Sequence, residues 1–508
     1  MNYEPIIKPL QMKQILLPLA LLLLVTAFAQ KNDAAKFAAT MTAQDLKSKL
    51  TIIAGAQMEG RETATPGQKR AAAFIENFFK SIGLQPGTPN GYQLSYPVYQ
   101  DSLTAVSFIL SNNTLVLDKD FIITPTSFVT GSWKTNEIVF ASYGISDSVT
   151  NNYSGLDVKD KWVLLLEGSP NDGDRPNFRA ARAKIMLART KGAKGIIIVS
   201  KDFPKTKPSS LKGSMYVTKQ TGSVAPVPVI NISISTASAI LGKSAASVAD
   251  LKNAVRGVYN ADLSLAITTN TNNLESTDVI GVLPGTDKKD EYVLITGHYD
   301  HLGKRDSVIW YGADDDGSGT TGVLEMAQTF AKAKAKGDGP RRTMVFMTVS
   351  GEEEGLWGSD YYTSHPVFPL EKTTVDLNTD MVGRIDPGYK GDSLNYVYLI
   401  GEDKLSSDLM KISDSINTNV MHMELDRRFN DPKDPNRFYY RSDHYNFAKH
   451  GVPIIFYFNG VHKDYHQPTD TVDKINFDLM LKRVRLVFYT AWVMANRDNM
   501  LARDIALK

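Results

Sequence analysis

Cysteine is absent from the 508 residues. That excludes a disulfide framework, a thiolate zinc ligand, an iron–sulfur cluster, a thiol nucleophile and a lipid-modified N-terminal cysteine. Any metal must be held by histidines and carboxylates. An excess of one charge is also missing: 57 Lys+Arg stand against 55 Asp+Glu, a net of +2. A nucleic-acid or anionic-membrane binder concentrates positive charge, and this chain does not. Long apolar runs are scarce. The longest, ILLPLALLLLVTAFA at 15–29, is shorter than the roughly 18–20 residues that span a bilayer. Histidine is scarce and unevenly placed. All eight (298, 301, 365, 422, 444, 450, 462 and 466) follow residue 297, so chemistry that needs an imidazole belongs to the C-terminal part.

What is there is ordinary for a folded protein: 42% hydrophobic, 22% charged and 9% aromatic residues, with 36 glycines. The length suggests two to four domains. Lys13 precedes the apolar run and Ala27-Phe28-Ala29 closes it, the layout of a secretory signal over 1–29. Met12 is an alternative start. This reading predicts export to the periplasm or beyond, a mature chain from near Gln30, and no stable membrane insertion; an uncleaved N-terminal anchor is the alternative. Residues 43–54 and 66–83 read as helices. In the second, Thr65 can cap, Pro66 suits the first turn, and Ala71, Phe74, Ile75, Phe78 and Phe79 make an apolar stripe.

From about 104 to 268 the pattern changes to short apolar strands with Gly- and Ser-rich connections and one helix near 178–191. From 291 onward strand, loop and helix alternate. The runs YVLIT (292–296), TMVFMTV (343–349), TTVDLN (373–378), YVYLI (396–400) and VPIIFYF (452–458) predict buried strands of a mainly parallel sheet in an α/β domain. Helices are expected at 319–335, 404–416, 443–450 and 477–496.

Five polar clusters follow these strands. They are Gly297-His298-Tyr299-Asp300-His301, Gly312 to Gly319 with Asp314, Asp315 and Asp316 in a row, Ser350 to Gly355 with three glutamates, Asn378 to Arg384 around Asp380, and Tyr465 to Thr471 with His466. Residues just past the C-terminal ends of parallel strands line the ligand crevice of such sheets. Adjacent aspartates repel one another unless solvated or bound to a cation. The formal GxGxxG match at 317–322 is not a dinucleotide site, because no strand runs into it and Asp314–Asp316 would repel a pyrophosphate. The HKDYH run at 462–466 has Lys where a thermolysin-type motif needs its Glu. Singly each cluster is weak. Together, two histidines and several carboxylates converging on one sheet edge suit a pair of zinc ions.

These motifs resemble the secreted co-catalytic di-zinc aminopeptidases, the family of bacterial leucyl aminopeptidases and aminopeptidase Y. GHYDHLG (297–303), GADDDGSGT (312–320), SGEEEGLWGS (350–359), NTDMVGR (378–384), RSDHYNF (441–447) and YHQPTDT (465–471) carry the likeness, with MEGRETATPG (58–67) near the start. The resemblance implies a three-layer α/β/α peptidase domain and two zinc ions. His298 and Asp380 would hold one zinc, Glu353 and His466 the other, and Asp315 would bridge them. Glu352 would be the general base, Asp300 would orient His298, and Tyr465 would stabilise the tetrahedral intermediate. The middle region resembles the β-rich protease-associated domain inserted in many members, expected to wall or cover the substrate cleft. The implied organisation is a signal at 1–29, an N-terminal peptidase segment at 30–117, the inserted domain at 118–268 and the di-zinc domain at 269–508. The expected activity is removal of N-terminal residues from peptides or proteins by di-zinc-activated water. The alternatives are a carboxypeptidase or dipeptidase of the same superfamily, and an inactive homologue that only binds.

Overall fold

A computed structural model describes residues 34–169, 178–218 and 227–506. The proposed signal at 1–29 lies outside the described residues. The chain divides into two compact units: Pro97–Leu274, and the residues up to Tyr96 together with those from Glu275 onward. The sequence pattern set the limits of the middle region at 118 and 268. The units part instead at 97 and 274, because two long strands, Gln93–Leu110 and Gly257–Leu283, run unbroken through those points.

The larger unit is an α/β structure around a mainly parallel sheet. Its strands are β1 (the end of Gly257–Leu283), β2 (Lys288–His298), β3 (Arg342–Val349), β4 (Thr373–Thr379), β5 (Tyr396–Ile400), β6 (Glu424–Asp426) and β7 (Ile454–Phe458), in the order β6-β5-β7-β4-β2-β3-β1. β2 pairs in parallel with both β3 and β4, and β4 in parallel with β7. β5 against β7 and β1 against β3 are antiparallel. All eight residues of β3 and all seven of β4 are buried. That is why these strands read as unbroken apolar runs: a parallel strand has helices on both faces.

On one face lie α1 (Ala43–Ile53), α2 (Pro66–Ser81), α3 (Gly319–Ala335) and α6 (Phe477–Asn496). Leu46, Leu50, Ile75, Phe79, Leu324, Phe330, Val484 and Phe488 share one core with the sheet's Val293, Phe346 and Leu377. α2 starts where its cap directs, with the Thr65 hydroxyl accepting from the Gln68 amide. On the other face, α4 (Trp357–Ser364) and α5 (His444–Lys449) bring Tyr362 and Phe447 against Leu294, Val345 and Phe456. The helix expected over 404–416 is confined to Leu409–Ile416.

The smaller unit has its own parallel run, Gly131–Phe140, Trp162–Leu166, Gly195–Val199 and Val229–Ile232, closed by an antiparallel strand at Phe121–Ile123. Apolar cores flank both faces, around Phe108, Phe140 and Ile230 on one side and Val139, Val163 and Ile196 on the other. No described helix is long and apolar enough to cross a membrane.

Candidate metal centre

His298 is the last residue of β2, and Asp380 directly follows β4. Glu352 and Glu353 follow β3 by three and four residues, and His466 lies on the turn beyond β7. Since β2, β3, β4 and β7 run in parallel, one sheet edge receives all five side chains. Asp315 reaches the same place from the irregular turn Ala313–Ser318 that leads into α3.

Asp315 sits at the middle. Its Oδ1 lies 3.4 Å from His298 Nε2, and its Oδ2 lies 3.2 Å from His466 Nε2. Around His298 Nε2, Asp380 Oδ1 is at 3.7 Å and Glu352 Oε2 at 3.9 Å, the farthest of the three carboxylates. Around His466 Nε2, Glu353 Oε2 is at 3.1 Å. Ligand atoms about 2.0–2.2 Å from one tetrahedral zinc lie roughly 3.3 Å apart, so these separations are those of ligand pairs. Several of the atoms have no hydrogen-bond partner although buried: His298 Nε2, Asp315 Oδ2, Glu353 Oε1 and Asp380 Oδ1. Orphaned buried polar atoms are costly, and cations held between them would satisfy them. His298, Glu352 and Asp380 form one candidate metal-holding group, and His301, Asp315 and Glu353 a second.

The electrostatics agree. Burial pushes the Glu352 carboxyl well above the usual carboxylate range; His298 opposes this, while Glu353 and Asp380 add to it. Burial disfavours charge on His466 too, but Asp315 and Glu353 outweigh it and bring the ring up to about 10. A site whose carboxylates hold protons on neighbouring imidazoles is short of positive charge.

The supports are as ordered as the ligand atoms. Asp300 accepts from the Thr63 hydroxyl (2.8 Å) and the Glu352 amide (3.3 Å), and its backbone carbonyl lies 3.2 Å from His298 Nδ1. It therefore ties the β2 loop to the β3 loop beside the imidazole. The aspartates beside Asp315 face backbone instead. Asp316 accepts from the amides of His298, Gly319 and Met381. Asp314 accepts from the Gly383 amide and lies 3.1 Å from His462 Nε2. His462 is thus bound into this support rather than paired with His466, because the 462–470 segment is a turn and not a helix. Tyr465 stacks on His466 at 3.9 Å, and its Oη accepts from Arg441 at 3.2 Å. A cavity at the centre is lined by Asp315, Glu352 and Asp380 together with Arg441, Tyr465 and an apolar group that includes Met381, Phe438 and Phe456.

The structure brings His298, Asp300, Asp315, Glu352, Glu353, Asp380, Tyr465 and His466 to one place. Sequence reasoning missed three participants. His301 faces Glu353, with Nδ1 2.7 Å from Oε1. Arg61, buried at 0% exposure, donates to the carbonyls of Ile53, Tyr299, Tyr311 and Gly312 and so fastens the two loops that carry His298 and Asp315. Asp470 accepts from the amides of Asp314 and Asp315. Each lies inside a recognised motif, but only the fold reveals what it faces.

Residues 278–491 match Peptidase family M28. The chain is 28% identical over 220 residues to the "probable leucine aminopeptidase" of Arthroderma otae, covering 42% of this chain and 56% of that one. It is 34% identical over 113 residues to a "probable zinc metalloprotease" of Leptosphaeria maculans, covering 21% of this chain and 24% of that one. The match thus spans about half of these relatives or less. Among solved structures, an aminopeptidase from Aneurinibacillus sp. strain AM-1 superposes with a TM-score of 0.56 at 20% identity, covering 93% of this chain and 98% of the other. A zinc aminopeptidase from Bacillus subtilis gives 0.54 at 19% identity, covering 91% and 98%. Both share the fold.

Proposed function

We propose that this chain, whose residues 278–491 form a Peptidase family M28 domain, is an exported di-zinc aminopeptidase that removes N-terminal residues from peptides. The observation that carries the reading is the position of Asp315, with one carboxylate oxygen toward His298 and the other toward His466. A carboxylate so placed suits a bridge between two cations. His298 and Asp380 would hold one zinc and Glu353 and His466 the other. Zinc bound there would polarise the scissile carbonyl and make water acidic enough to lose a proton near neutral pH.

The rest of the chemistry belongs to the chain. Glu352 would take the proton from the attacking water and deliver it to the leaving amine. Its raised proton affinity suits that return step. Asp300 would hold the His298 ring and, through the Glu352 amide, the base. Tyr465 would donate its hydroxyl to the oxygen that gains charge as the carbonyl becomes tetrahedral. A substrate ammonium group would bind beside Glu352, Asp380 and Asp315, which would restrict cleavage to the chain end. The middle region, read from the sequence as a protease-associated domain, has no expected catalytic residue. The run at 15–29 supports export.

One observation favours a second reading. Arg441 stands at the cavity with its guanidinium by Tyr465, and a cation there could receive a substrate carboxylate, as a carboxypeptidase or dipeptidase requires. The deciding experiment compares aminoacyl anilides, their N-acetylated forms, and dipeptides with free or amidated C-termini, before and after chelation and zinc return. Hydrolysis only of substrates with a free amino group, lost on chelation and regained with zinc, is expected. Cleavage that needs a free carboxylate would replace the aminopeptidase reading with the second. Activity unaffected by thorough chelation would contradict both.

A further inference from the structure

The smaller unit has a carboxyl edge to its own parallel strands. Gly131–Phe140 ends where Phe140 pairs with Gly257, the first residue of the antiparallel strand Gly257–Leu283. The segment after the one strand, 142–152, and the segment before the other, 252–256, therefore stand at the same end of the pair. In parallel sheets that end is where ligand crevices form. An open cleft of about 540 Å³ lies there, lined from the first segment by Ser142, Asn151 and Asn152 and from the second by Lys252, Asn253 and Arg256.

Both walls are ordered by their own hydrogen bonds. In the first, the amides of Tyr153 and Ile145 donate to the side-chain oxygens of Asn151 and Asn152, at 3.1 and 3.0 Å. In the second, Ser247 and Asp250 close a capping box on the helical turn Val248–Asn253. Arg256 joins the walls by donating to the Asn151 carbonyl at 2.9 Å.

The cleft is rich in donors and positive charge. Asn151 and Asn152 spend their oxygens on amides, so the NH2 groups are what they can turn to a ligand. Neither Lys252 nor Arg256 forms an ion pair among the described residues. The carboxylates nearest in sequence are turned into their own loops. Asp147 accepts from the amides of Val149 and Thr150, at 2.8 and 2.7 Å, and Asp250 from those of Ala246 and Ser247, at 2.9 and 2.8 Å. The described lining residues include no carboxylate, so the cleft suits an anion, and no aromatic ring, so it offers no platform for a nucleobase. Val149 and Val255, one from each wall, are 92% and 73% exposed. They give an aliphatic group beside the anion something to pack on.

We propose that this cleft binds a polypeptide segment carrying Glu or Asp side chains beside aliphatic ones. Lys252 and Arg256 meet the carboxylates, the asparagine NH2 groups add donors, and Val149 and Val255 meet the aliphatic groups. The site lies wholly within Pro97–Leu274 and does not depend on the di-metal reading. Exposed ion pairs are individually weak and screened by salt, so the affinity is modest and falls as salt rises.

Fluorescence anisotropy on the zinc-loaded full-length chain tests this. The probes are peptides blocked at both ends in which Val alternates with Glu, Gln or Lys, and a fourth in which Ser alternates with Glu. The Val–Glu peptide should bind, and should lose affinity at an ionic strength of about 1 M, where the Debye length is about 3 Å. The other three should bind at least about tenfold more weakly. Lys252→Glu combined with Asn253→Asp changes two exposed side chains that hold no hydrogen bond among the described residues. It should weaken the Val–Glu peptide about tenfold or more, and leave the unfolding midpoint and the turnover of aminoacyl anilides unchanged. No binding of the Val–Glu peptide at about 1 mM, equal binding of the Gln or Lys peptide, or full binding to the variant would overturn the proposal. Equal binding of the Ser–Glu peptide, or displacement by inorganic phosphate at the peptide's own concentration, would reduce the cleft to a simple anion site and overturn it too.

Discussion

Arg61→Ala tests whether the centre depends on a residue that touches no metal. The guanidinium is fully buried and makes four hydrogen bonds to main-chain carbonyls: Ile53 (3.0 Å), Tyr299 (2.7 Å), Tyr311 (2.7 Å) and Gly312 (2.9 Å). Truncation leaves the buried carbonyls of Ile53 and Tyr299 unmatched and takes a donor from the part-buried Tyr311 carbonyl, while Gly312 keeps the Gly317 amide. At the lower end of the usual cost, about 1 kcal/mol for each carbonyl left without a donor, the loss is about 2–3 kcal/mol. Burial lowers the proton affinity of Arg61, while Asp300, Asp315, Asp316 and Asp470 act the other way. Removing the cation therefore also leaves those carboxylates to repel one another. Arg61→Lys should recover only part, since one ammonium cannot reach acceptors placed for a planar fork. The assay is urea unfolding of the metal-free protein, followed by zinc affinity of the folded variant. A loss of several kcal/mol with weakened zinc binding is expected. A change under about 1 kcal/mol with normal zinc affinity would refute the reasoning.

Removing the hydroxyl in Tyr465→Phe should leave zinc content and stability nearly unchanged, yet lower kcat on the order of 100-fold, the scale of losing one oxyanion donor; equal kcat would withdraw that role. His444 is held by burial down to about 3, whereas an unfolded histidine titrates near 6.5. The unfolded chain alone takes up the proton between these values, so stability is full above about pH 6.5 and falls as pH drops toward 3. The fall should be roughly 2 kcal/mol between pH 6.5 and 4.5 in metal-free protein, and His444→Gln should remove that part of the acid slope. Zinc at 100 times its Kd should stabilise the metal-free chain by about 2.7 kcal/mol per independent site; an unfolding midpoint indifferent to zinc would contradict a native metal centre.

Much of the larger unit's fold was legible because its strands are buried on both faces. YVYLI at 396–400 and the helices at 319–335 and 477–496 coincide with the observed elements. VPIIFYF begins two residues later than read, since Pro453 precedes the strand. The residues proposed as ligands were legible as candidates because acidic and imidazole groups follow apolar strands. Choosing Asp315 over its neighbours needed the family pattern, since all three aspartates are buried and only the fold separates their partners. Arg61 and His301 escaped because a buried arginine serving carbonyls and a buried imidazole facing a carboxylate leave no periodic trace. The limit at 97 was missed for a related reason. A strand that continues from one unit into the next carries no composition break.

The central claim is that adjacent, chemically alike glutamates do different work, Glu353 holding a metal and Glu352 moving a proton. Paired measurement of zinc content and turnover in Glu352→Gln and Glu353→Gln tests it most directly. The account predicts that Glu352→Gln retains two zinc ions and near-normal stability but loses activity by a factor of about 100 or more, while Glu353→Gln binds zinc poorly. A fully active Glu352→Gln, or one that loses a zinc while Glu353→Gln keeps both, would contradict it.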